Sequence, residues 1–368
     1  MNRILQVIGE MNCGGAEMIL MNLYRNIDRD IMQFDFVVHT DKKCMYDEEI
    51  LQLGGIIHHC PKFSGTNYFA YRNWWENFLD GHKEYKVIHG HIGSSAAIYL
   101  RVAKNHGLFT IAHSHATTDT DRSLKAIAWS AFSYPTRYVA DYYMACSKEA
   151  GVDRYGVKIV SSDRFSVMNN AINCEQFKFD TNKRNNMREQ LKLTNNYVIG
   201  HVGRFSAQKN HHFIISVFEE LVKKDNTARL LLLGDGPLRK EIEGLCHKKN
   251  ILDKIIFAGI QRNTEDYYMA MDCFFFPSNF EGLGIVAIEA QASGLHVIAS
   301  DAVPNLADIK AGQFERINLN APYETWVNAL LQYKQVAHSK DSIDDAIKAG
   351  FDIKTVAPKL QNFYLEHI

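Results

Sequence analysis

Residues 273–290 read Cys-Phe-Phe-Phe-Pro-Ser-Asn-Phe-Glu-Gly-Leu-Gly-Ile-Val-Ala-Ile-Glu-Ala, and this segment indicates the architecture more clearly than any other. The apolar run Cys273–Phe276 predicts a fully buried strand that ends at Pro277. A loop punctuated by glycines follows, and a helix is predicted to begin near Gly284. A buried strand that leads through a loop into a helix is half of a βαβ unit, which predicts a parallel sheet.

The same alternation of strand and helix runs through the rest of the chain. In the first half, β-rich runs occur at Ile4–Ile8, Phe34–Val38, Val87–His89, Phe109–Ala112, Tyr143–Cys146 and Val167–Asn169. Helical patterns separate them at Gly15–Asn26, Ser94–Asn105 and Arg122–Tyr138. In the second half, strands are predicted at Tyr197–Val202, Arg229–Leu233, Ile255–Ala258 and Val297–Ser300.

We therefore predict an α/β fold made of two Rossmann-like, doubly wound parallel-sheet domains that face a cleft. A first domain is expected over residues 1–173 and a polar linker with a short helix over 174–194. A second domain is expected over 195–350 and a C-terminal helix over 351–368. In such folds ligands bind beyond the carboxyl ends of the strands, so functional residues are expected in the loops that follow strands.

The bulk composition limits the possible functions. A chain of 368 residues with 46% hydrophobic and 23% charged residues is typical of a globular two-domain protein. Seven cysteines without a C-x-x-C pair argue against a disulfide framework and a structural zinc site. A formal net charge of −1 gives no reason to expect a nucleic acid as partner. Neither a signal-peptide pattern nor a long apolar run is found, so a cytoplasmic protein is expected.

Two of the loops carry groups suited to phosphate. Gly14-Gly15 opens a helix whose N-terminus favours an anion, although a tight turn explains these glycines equally well. Arg204 and Lys209 follow another strand, and together they could clamp a diphosphate from two sides. A third loop, Gly234-Asp235-Gly236-Pro237, is better explained as a sharp structural turn.

Two carboxylates lie within residues 273–290. Glu281 is on the loop and Glu289 is one to two turns into the helix, where each could accept hydrogen bonds from a pair of hydroxyls. The apolar neighbours of Glu289 favour a buried position over a solvated helix face. Backbone N–H groups at the start of this helix suit a phosphate or sugar hydroxyls, and they belong to Gly282, Leu283 and Gly284.

Histidines follow two neighbouring strands of the first half. His113 and His115 come after Phe109–Ala112, and two histidines at the carboxyl end of a strand favour a functional role. His89 and His91 follow the preceding strand, either as their neighbours or as satisfied loop residues. A metal site is the less favoured interpretation, because no nearby pattern completes a familiar ligand spacing.

In combination these residues resemble family 4 of the GT-B retaining glycosyltransferases. The E-x7-E pattern is Glu281 to Glu289, the G-R-x-x-x-x-K pattern is Gly203 to Lys209, and the G-G-A-E loop is Gly14 to Glu17. Asn170–Asn173 resembles the N-G-V-D element that closes the first domain of the family. Asn318–Trp326 is similar to the branch of the family found in bacterial exopolysaccharide and capsule biosynthesis.

The resemblance implies roles in the second domain. Glu289 would hold the ribose hydroxyls, and Glu281 would hold the 3- and 4-hydroxyls of the donor sugar. Arg204 and Lys209 would neutralise the diphosphate leaving group. The backbone of Gly282, Leu283 and Gly284 would assist, and the loop of Arg262 would read the nucleotide base.

The resemblance also implies roles in the first domain. The Gly14-Gly15 loop would close over the phosphates, and the C-terminal helix would cross back to this domain. His115 would contact the donor sugar near its 6-hydroxyl, because it precedes the small residues Ala116-Thr117, and His113 is the alternative.

The implied reaction is a retaining transfer of a hexose or N-acetylhexosamine from a nucleotide sugar, UDP-linked, without a metal or other cofactor. The implied acceptor is a glycan or a lipid-linked oligosaccharide. Two alternatives stay open: a GT-B-like nucleotide-sugar 2-epimerase and a non-catalytic nucleotide-sugar sensor. A dehydrogenase is disfavoured, since no G-x-G-x-x-G fingerprint is present.

Two further segments bear on partners. Ala302–Asn305 replaces the glycine-rich turn and acidic residue usual in the family, so diphosphate contacts from that turn are not expected. Basic and aromatic residues in the first domain are typical of peripheral contact with the inner membrane face and equally of an ordinary amphipathic helix. They are Arg122, Lys125, Trp129, Phe132 and Arg137.

Overall fold

In the computed structural model the chain forms two compact units. The first contains Met1–Ile172 and Asp352–Ile368, and the second contains Asn173–Phe351. The structure describes residues 1–12, 14–115, 131–334, 338 and 342–368.

The first unit is built on a seven-stranded sheet. Its strands are β1 (Asn2–Ile8), β2 (Met32–Val38), β3 (Ile57–His59), β4 (Val87–Gly90), β5 (Phe109–Ser114), β6 (Tyr142–Ala145) and β7 (Phe165–Val167). They are arranged in the order β3-β2-β1-β4-β5-β6-β7, and all neighbouring strands are parallel. The helices described in this unit are Gly15–Asn26, Asp47–Gln52, Tyr68–Gly81, Ala96–Asn105, Lys148–Tyr155, Val157–Val160 and Ile353–Leu365.

Both faces of this sheet are buried. Along β1, Ile4 belongs to one apolar core while the next residue, Leu5, belongs to another. Successive side chains of a strand point to opposite faces, so two separate helical layers cover the sheet. Buried apolar runs of this kind explain why the strands were recognisable from the sequence.

The C-terminal segment is part of the first unit. Asp352 forms a β-bridge with Ile172, and the Ile353 N–H donates to the Ile172 carbonyl oxygen at 2.8 Å. Helix Ile353–Leu365 then packs on helix Gly15–Asn26 and buries Tyr364 completely. This packing brings a phenol from the end of the chain to the carboxyl end of β1.

The second unit repeats the design with six strands. They are β8 (Tyr197–Val202), β9 (Ala228–Leu233), β10 (Ile255–Gly259), β11 (Cys273–Phe276), β12 (His296–Ser300) and β13 (Phe314–Ile317). The order is β10-β9-β8-β11-β12-β13, again with parallel neighbours. The helices described here are Thr181–Gln190, His211–Lys224, Arg239–Lys248, Thr264–Ala270, Ile285–Ala292, Tyr323–Gln332 and Ser342–Lys348.

The predicted α/β class with doubly wound parallel sheets is confirmed, and the differences lie at edges. Strands β3 and β13 were missed, because β3 has three residues and the Phe-Glu-Arg-Ile of β13 carries two charges. The strand predicted at Val167–Asn169 was wrong by two residues, since β7 pairs with β6 through Phe165 to Val167. Of the helix predicted over Arg122–Tyr138, residues 122–130 lie outside the described residues and Tyr134–Tyr138 is a 3₁₀ helix.

Candidate active site

The candidate residues of the second unit lie on two loops at the carboxyl ends of neighbouring strands. One loop follows β8 and ends at the helix that begins at His211, and the other joins β11 to helix Ile285–Ala292. The loops are bonded to each other, since the Asn279 N–H donates to the Gln208 carbonyl oxygen at 2.8 Å. The Asn210 side-chain amide also donates to the Pro277 carbonyl oxygen at 3.1 Å. The two sequence motifs therefore form one structural element.

Lys209 and Glu281 form an ion pair between these loops. Lys209 Nζ lies 2.6 Å from Glu281 Oε1, and the ammonium group sits 4.7 Å from the centre of the Phe276 ring. The pair is largely shielded from water, with side-chain exposures of 14% for Lys209 and 6% for Glu281. The other carboxylate oxygen, Oε2, is 3.4 Å from the Gln208 side-chain amide. The structure thus brings together two residues for which the family resemblance implies separate roles.

Glu289 lies inside the unit, as its apolar neighbours predicted. Its exposure is 5%, and the Tyr268 hydroxyl donates to Oε2 at 2.8 Å. Burial raises the pKa of the Glu289 carboxyl to about 7, while the Tyr268 hydrogen bond opposes part of this rise. A carboxyl with this pKa changes charge in the neutral range and can accept hydrogen bonds from hydroxyls when it is ionised.

Gly284 caps the helix that carries Glu289. Its φ of +83° is in the left-handed region, and a Cβ there would lie 3.0 Å from a ring carbon of Phe276. Only glycine satisfies both conditions without displacement, so Gly284 sets the direction of the helix N-terminus. Gly282 and Leu283 precede this cap, where helix N–H groups have no intrahelical acceptor.

The remaining predicted residues of this unit lie further out. The side chains of Arg204 and Arg262 are exposed, so neither is held in place by burial.

Gly234 has a φ of +122°, and a Cβ there would lie 2.2 Å from the Gly203 carbonyl oxygen. This close approach supports the interpretation of the Gly234–Pro237 loop as a structural turn under the Gly203 loop.

In the first unit, Gly14 and Gly15 begin helix Gly15–Asn26. The residue before them, Cys13, lies outside the described residues. A Cβ on Gly14 would lie 2.1 Å from a carboxylate oxygen of Glu17, and burial raises the pKa of that carboxyl. A carboxylate therefore occupies the first turn, where a helix favours negative charge.

The four histidines lie together at the carboxyl ends of β4 and β5. His89 Nε2 is 3.1 Å from His113 Nδ1, and His91 Nδ1 is 2.7 Å from His115 Nε2. The rings of His113 and His115 stack with centroids 4.2 Å apart. His89 and His91 are thus neighbours of the predicted pair, one of the two possibilities that the sequence left open.

These histidines are neutral near pH 7. Burial lowers the pKa of His89 to about 3 and that of His115 to about 4. Burial, together with the neighbouring rings, holds the pKa of His91 and His113 well below the usual range. The imidazoles can therefore donate or accept hydrogen bonds without carrying charge.

A cavity of ≈190 Å³ adjoins this cluster within the first unit. His91, His113 and His115 line it, together with Arg154 and Tyr155. Among the described residues, His113 Nε2 and His115 Nδ1 are buried ring nitrogens without a hydrogen-bond partner. Because they lie next to a cavity, these two unsatisfied nitrogens are candidates for contact with a ligand.

The cluster also identifies the residues that would hold a metal ion under the alternative interpretation. One ring nitrogen from each of His89, His91 and His113 lies within 4.8 Å of the others, a spacing at which three imidazoles could hold a metal ion. In this arrangement all three residues already use a ring nitrogen in a hydrogen bond to another histidine.

Sequence reasoning missed four polar partners. Gln208 and Tyr268 contact the two glutamates, while Gln6 and Tyr364 contact the histidines. Gln6 lies inside an apolar strand, and a polar residue in a fully buried run is a signal that could have been used. Tyr364 carried no signal, because only folding brings the C-terminal helix to β1.

The basic and aromatic residues considered for membrane contact are only partly described. Arg122, Lys125 and Trp129 lie outside the described residues, as do Ala116-Thr117. Phe132 is exposed at 38%, and the Arg137 guanidinium donates to the Arg154 carbonyl oxygen at 2.9 Å. Within the described part of the chain, no helix has the length and apolar character needed to cross a membrane.

Comparison with known proteins adds independent information. The family model "Glycosyl transferases group 1" matches residues 182–333. EpsF of Bacillus subtilis is 30% identical over 368 residues, with 98% of this chain and 96% of that protein covered. The capsular polysaccharide biosynthesis glycosyltransferase CapH of Staphylococcus aureus is 24% identical, with 99% of each chain covered.

Among solved structures, Alr3699/HepE of Anabaena in complex with UDP shares the fold. The TM-score is 0.81 at 17% identity, with 100% of both chains covered. The predicted GT-B fold is thereby confirmed. The chain therefore belongs to the group 1 glycosyl transferases, the family 4 enzymes that its motifs resemble, alongside relatives from bacterial polysaccharide synthesis.

Proposed function

We propose that the protein transfers a hexose or N-acetylhexosamine from a UDP-sugar to a glycan or lipid-linked oligosaccharide, with retention of anomeric configuration. The observation that carries this proposal is the Lys209–Glu281 ion pair beside the N-terminus of helix Ile285–Ala292. A cation, a carboxylate and a helix N-terminus are there held in one shielded place, as a diphosphate-linked sugar requires.

The chemistry is the exchange of one bond at the anomeric carbon. The bond from that carbon to the diphosphate oxygen breaks, and the acceptor oxygen forms a bond to the same carbon. Negative charge grows on the departing diphosphate, where Lys209 and Arg204 would stabilise it electrostatically. The proton of the acceptor hydroxyl passes to the diphosphate, so no protein base is consumed.

The carboxylates serve binding rather than proton transfer in this proposal. Glu281, held by Lys209 through Oε1, would accept from the 3- and 4-hydroxyls of the donor sugar. Glu289 would accept from the ribose hydroxyls once ionised, with Tyr268 fixing its orientation. Gly14 and Gly15 would close over the phosphates, and the loop of Arg262 would contact the base.

The wider setting is inferred from relatives. CapH is named for capsular polysaccharide biosynthesis, and HepE was crystallised with UDP. Their similarity supports a UDP-linked donor and a role in the assembly of a surface polysaccharide. Peripheral binding at the inner membrane face would give access to a lipid-linked acceptor.

The test is a product analysis by NMR. The protein is incubated with UDP-glucose, UDP-galactose or their N-acetylhexosamine counterparts, with and without a lipid-linked oligosaccharide acceptor. We expect a new glycoside only with acceptor, with the anomeric coupling constant of the donor retained. An inverted product would overturn retention, and an epimerised nucleotide sugar without acceptor would favour the 2-epimerase. Binding without either product would favour the sensor.

A further inference from the structure

The histidines of the first unit belong to a larger hydrogen-bond network centred on Gln6. The Gln6 side-chain amide nitrogen lies 3.2 Å from the Tyr364 hydroxyl oxygen, and its carbonyl oxygen lies 3.0 Å from His91 Nε2. One branch continues from His91 to His115. The other continues from Tyr364 to His89, with 2.5 Å between the hydroxyl oxygen and Nδ1, and from His89 to His113.

The first branch fixes the proton positions of two rings. The carbonyl oxygen of an amide can only accept, so His91 must carry its proton on Nε2. A neutral His91 then has a lone pair on Nδ1, which accepts from the Nε2–H of His115 at 2.7 Å. The remaining nitrogen of His115, Nδ1, is left as a bare acceptor without a partner.

The second branch ends in the opposite way. The Tyr364 hydroxyl accepts from the Gln6 amide and donates its own O–H to the lone pair of His89 Nδ1. His89 therefore donates through Nε2 to His113 Nδ1 at 3.1 Å. The remaining nitrogen of His113, Nε2, is left as an N–H donor without a partner.

One branch ends in a donor and the other in an acceptor, whichever way the Gln6 amide is oriented. If oxygen and nitrogen of the amide exchange places, every hydrogen bond in both branches reverses. His113 Nε2 then becomes the bare acceptor and His115 Nδ1 the donor. In either orientation all four rings have the same tautomer, Nε2–H in one case and Nδ1–H in the other.

We infer that Gln6 and Tyr364 are positioning residues that lock the four histidines into one tautomer, so that His113 and His115 present one ring donor and one ring acceptor to a sugar hydroxyl. A hydroxyl both donates and accepts one hydrogen bond, so it matches this pair as no purely anionic or cationic group does. The hydroxyl is assigned to a sugar because of the proposed function. The network itself follows from the contacts alone.

The network also explains the choice between His113 and His115. Both are needed, one as donor and one as acceptor, because they end two branches of the same network. A metal ion among His89, His91 and His113 would require the lone pairs of His89 and His91, which accept hydrogen bonds within the network in either orientation of Gln6. Metal binding and the locked tautomers are therefore mutually exclusive.

The test is nitrogen NMR of the whole protein labelled with ¹⁵N-histidine. The ring signals are assigned through their loss in single His→Asn variants, and the two ring nitrogens of a neutral imidazole differ widely in chemical shift. We expect all four rings to be neutral at pH 7 and to share one tautomer. Unequal tautomers in the wild-type protein, or a protonated ring among the four, would overturn the inference.

Two variants separate positioning from folding. Tyr364→Phe should leave His91 and His115 fixed while His89 and His113 become mixtures of tautomers, and Tyr24→Phe removes a comparable buried contact to Gln33 outside the network. Transferase turnover should fall about five- to tenfold in Tyr364→Phe, the equivalent of one hydrogen bond, because His113 no longer presents a fixed donor or acceptor, and it should stay unchanged in Tyr24→Phe. An unchanged spectrum of His89 and His113 in Tyr364→Phe would refute the inference.

Two further results would bear on the metal alternative and on the proposed function. If added Zn²⁺ shifts the ring signals of His89, His91 and His113, these residues form a metal site and the inference is wrong. A wild-type protein with the expected tautomers but no transfer to any acceptor would contradict the proposed function and leave the network standing.

Discussion

Lys209 Nζ lies 2.6 Å from Glu281 Oε1, although the two residues are 72 positions apart in the sequence. The pair joins the loop after β8 to the loop after β11 and lies against the Phe276 ring. A cation held by a neighbouring carboxylate keeps its position before any ligand arrives, so little ordering is needed when a phosphate binds. In the proposed nucleotide-sugar site the pair would therefore be a preformed element.

Replacement of Lys209 by methionine should weaken UDP binding. The variant keeps the length of the side chain and removes the charge that would contact the diphosphate. We expect a loss of roughly 1.5–3 kcal/mol, or about 10- to 150-fold in Kd, measured by titration calorimetry. Lys224→Met is the matched control, because Lys224 pairs with Glu324 on an exposed surface of the same unit. An unchanged Kd in Lys209→Met would contradict the role of this residue.

The same substitution should destabilise the second unit. Without Lys209, the Glu281 carboxylate keeps 6% exposure and loses its counter-charge. Breaking a buried pair on one side costs about 3 kcal/mol, which lowers Tm by ~6–12 °C for a unit of this size. Calorimetry should show that Lys209→Met with Glu281→Gln recovers part of the loss, since the lone charge is then removed. A double variant no more stable than the single variant would argue that packing, not charge, holds the loops.

Stability should depend on pH through Glu289. Its pKa is raised to about 7 by burial, above the usual value in an unfolded chain, so the folded state binds the proton more tightly. Protonation of Glu289 contributes on the order of 3 kcal/mol to the free energy of unfolding below pH ~4.5. This contribution is lost as the pH rises through about 7. Urea unfolding at pH 5 and pH 8 should show this difference in the wild type. In Glu289→Gln the two values should lie much closer together, and an equally large difference there would assign the effect to another group.

UDP binding should favour the ionised form of Glu289, whereas folding favours the protonated form. In the proposed site the ribose hydroxyls would donate to an ionised Glu289, so binding would favour loss of the proton, and Kd should fall as pH rises from 6 to 8. The change approaches tenfold per unit below pH ~7 if only the ionised form binds. Since UDP itself titrates in this range, the measure is the difference between wild type and Glu289→Gln. Identical pH profiles for the two proteins would exclude a contact between Glu289 and the nucleotide.

The two sheets and the main motifs could be predicted because their signals are local. Cys273–Phe276 is an uninterrupted apolar run, and the glycines after it mark a turn within a few residues. The partners of the functional groups could not be predicted, because they depend on tertiary packing. Tyr268 reaches Glu289 from a separate helix, and Tyr364 reaches the histidines from the end of the chain. A single polar residue in a buried strand, such as Gln6, is intermediate: the sequence shows that it is unusual, but only the fold shows its partners.

Chelation should leave transfer unaffected. The proposed stabilisation of the leaving group comes from Arg204, Lys209 and a helix N-terminus, none of which binds a metal ion. Activity in EDTA should therefore equal that in buffer, in an assay that follows UDP release. Loss of activity that Zn²⁺ restores would point to His89, His91 and His113, the described group with a suitable spacing. In that case His89→Asn should abolish the rescue by Zn²⁺.

Gly234→Ala and Gly244→Ala should change stability in opposite directions. At Gly234, φ is +122° and a new Cβ would lie 2.2 Å from the Gly203 carbonyl oxygen, so the backbone must move. We expect a loss of roughly 2–4 kcal/mol and weaker UDP binding, because Gly203 begins the loop that carries Arg204 and Lys209. Gly244 lies in helix Arg239–Lys248 with no heavy atom within 4 Å of a new Cβ, so alanine should stabilise by about 0.5–1 kcal/mol. Thermal unfolding and UDP titration of both variants check this, and normal UDP affinity in Gly234→Ala would show that the loop tolerates the shift.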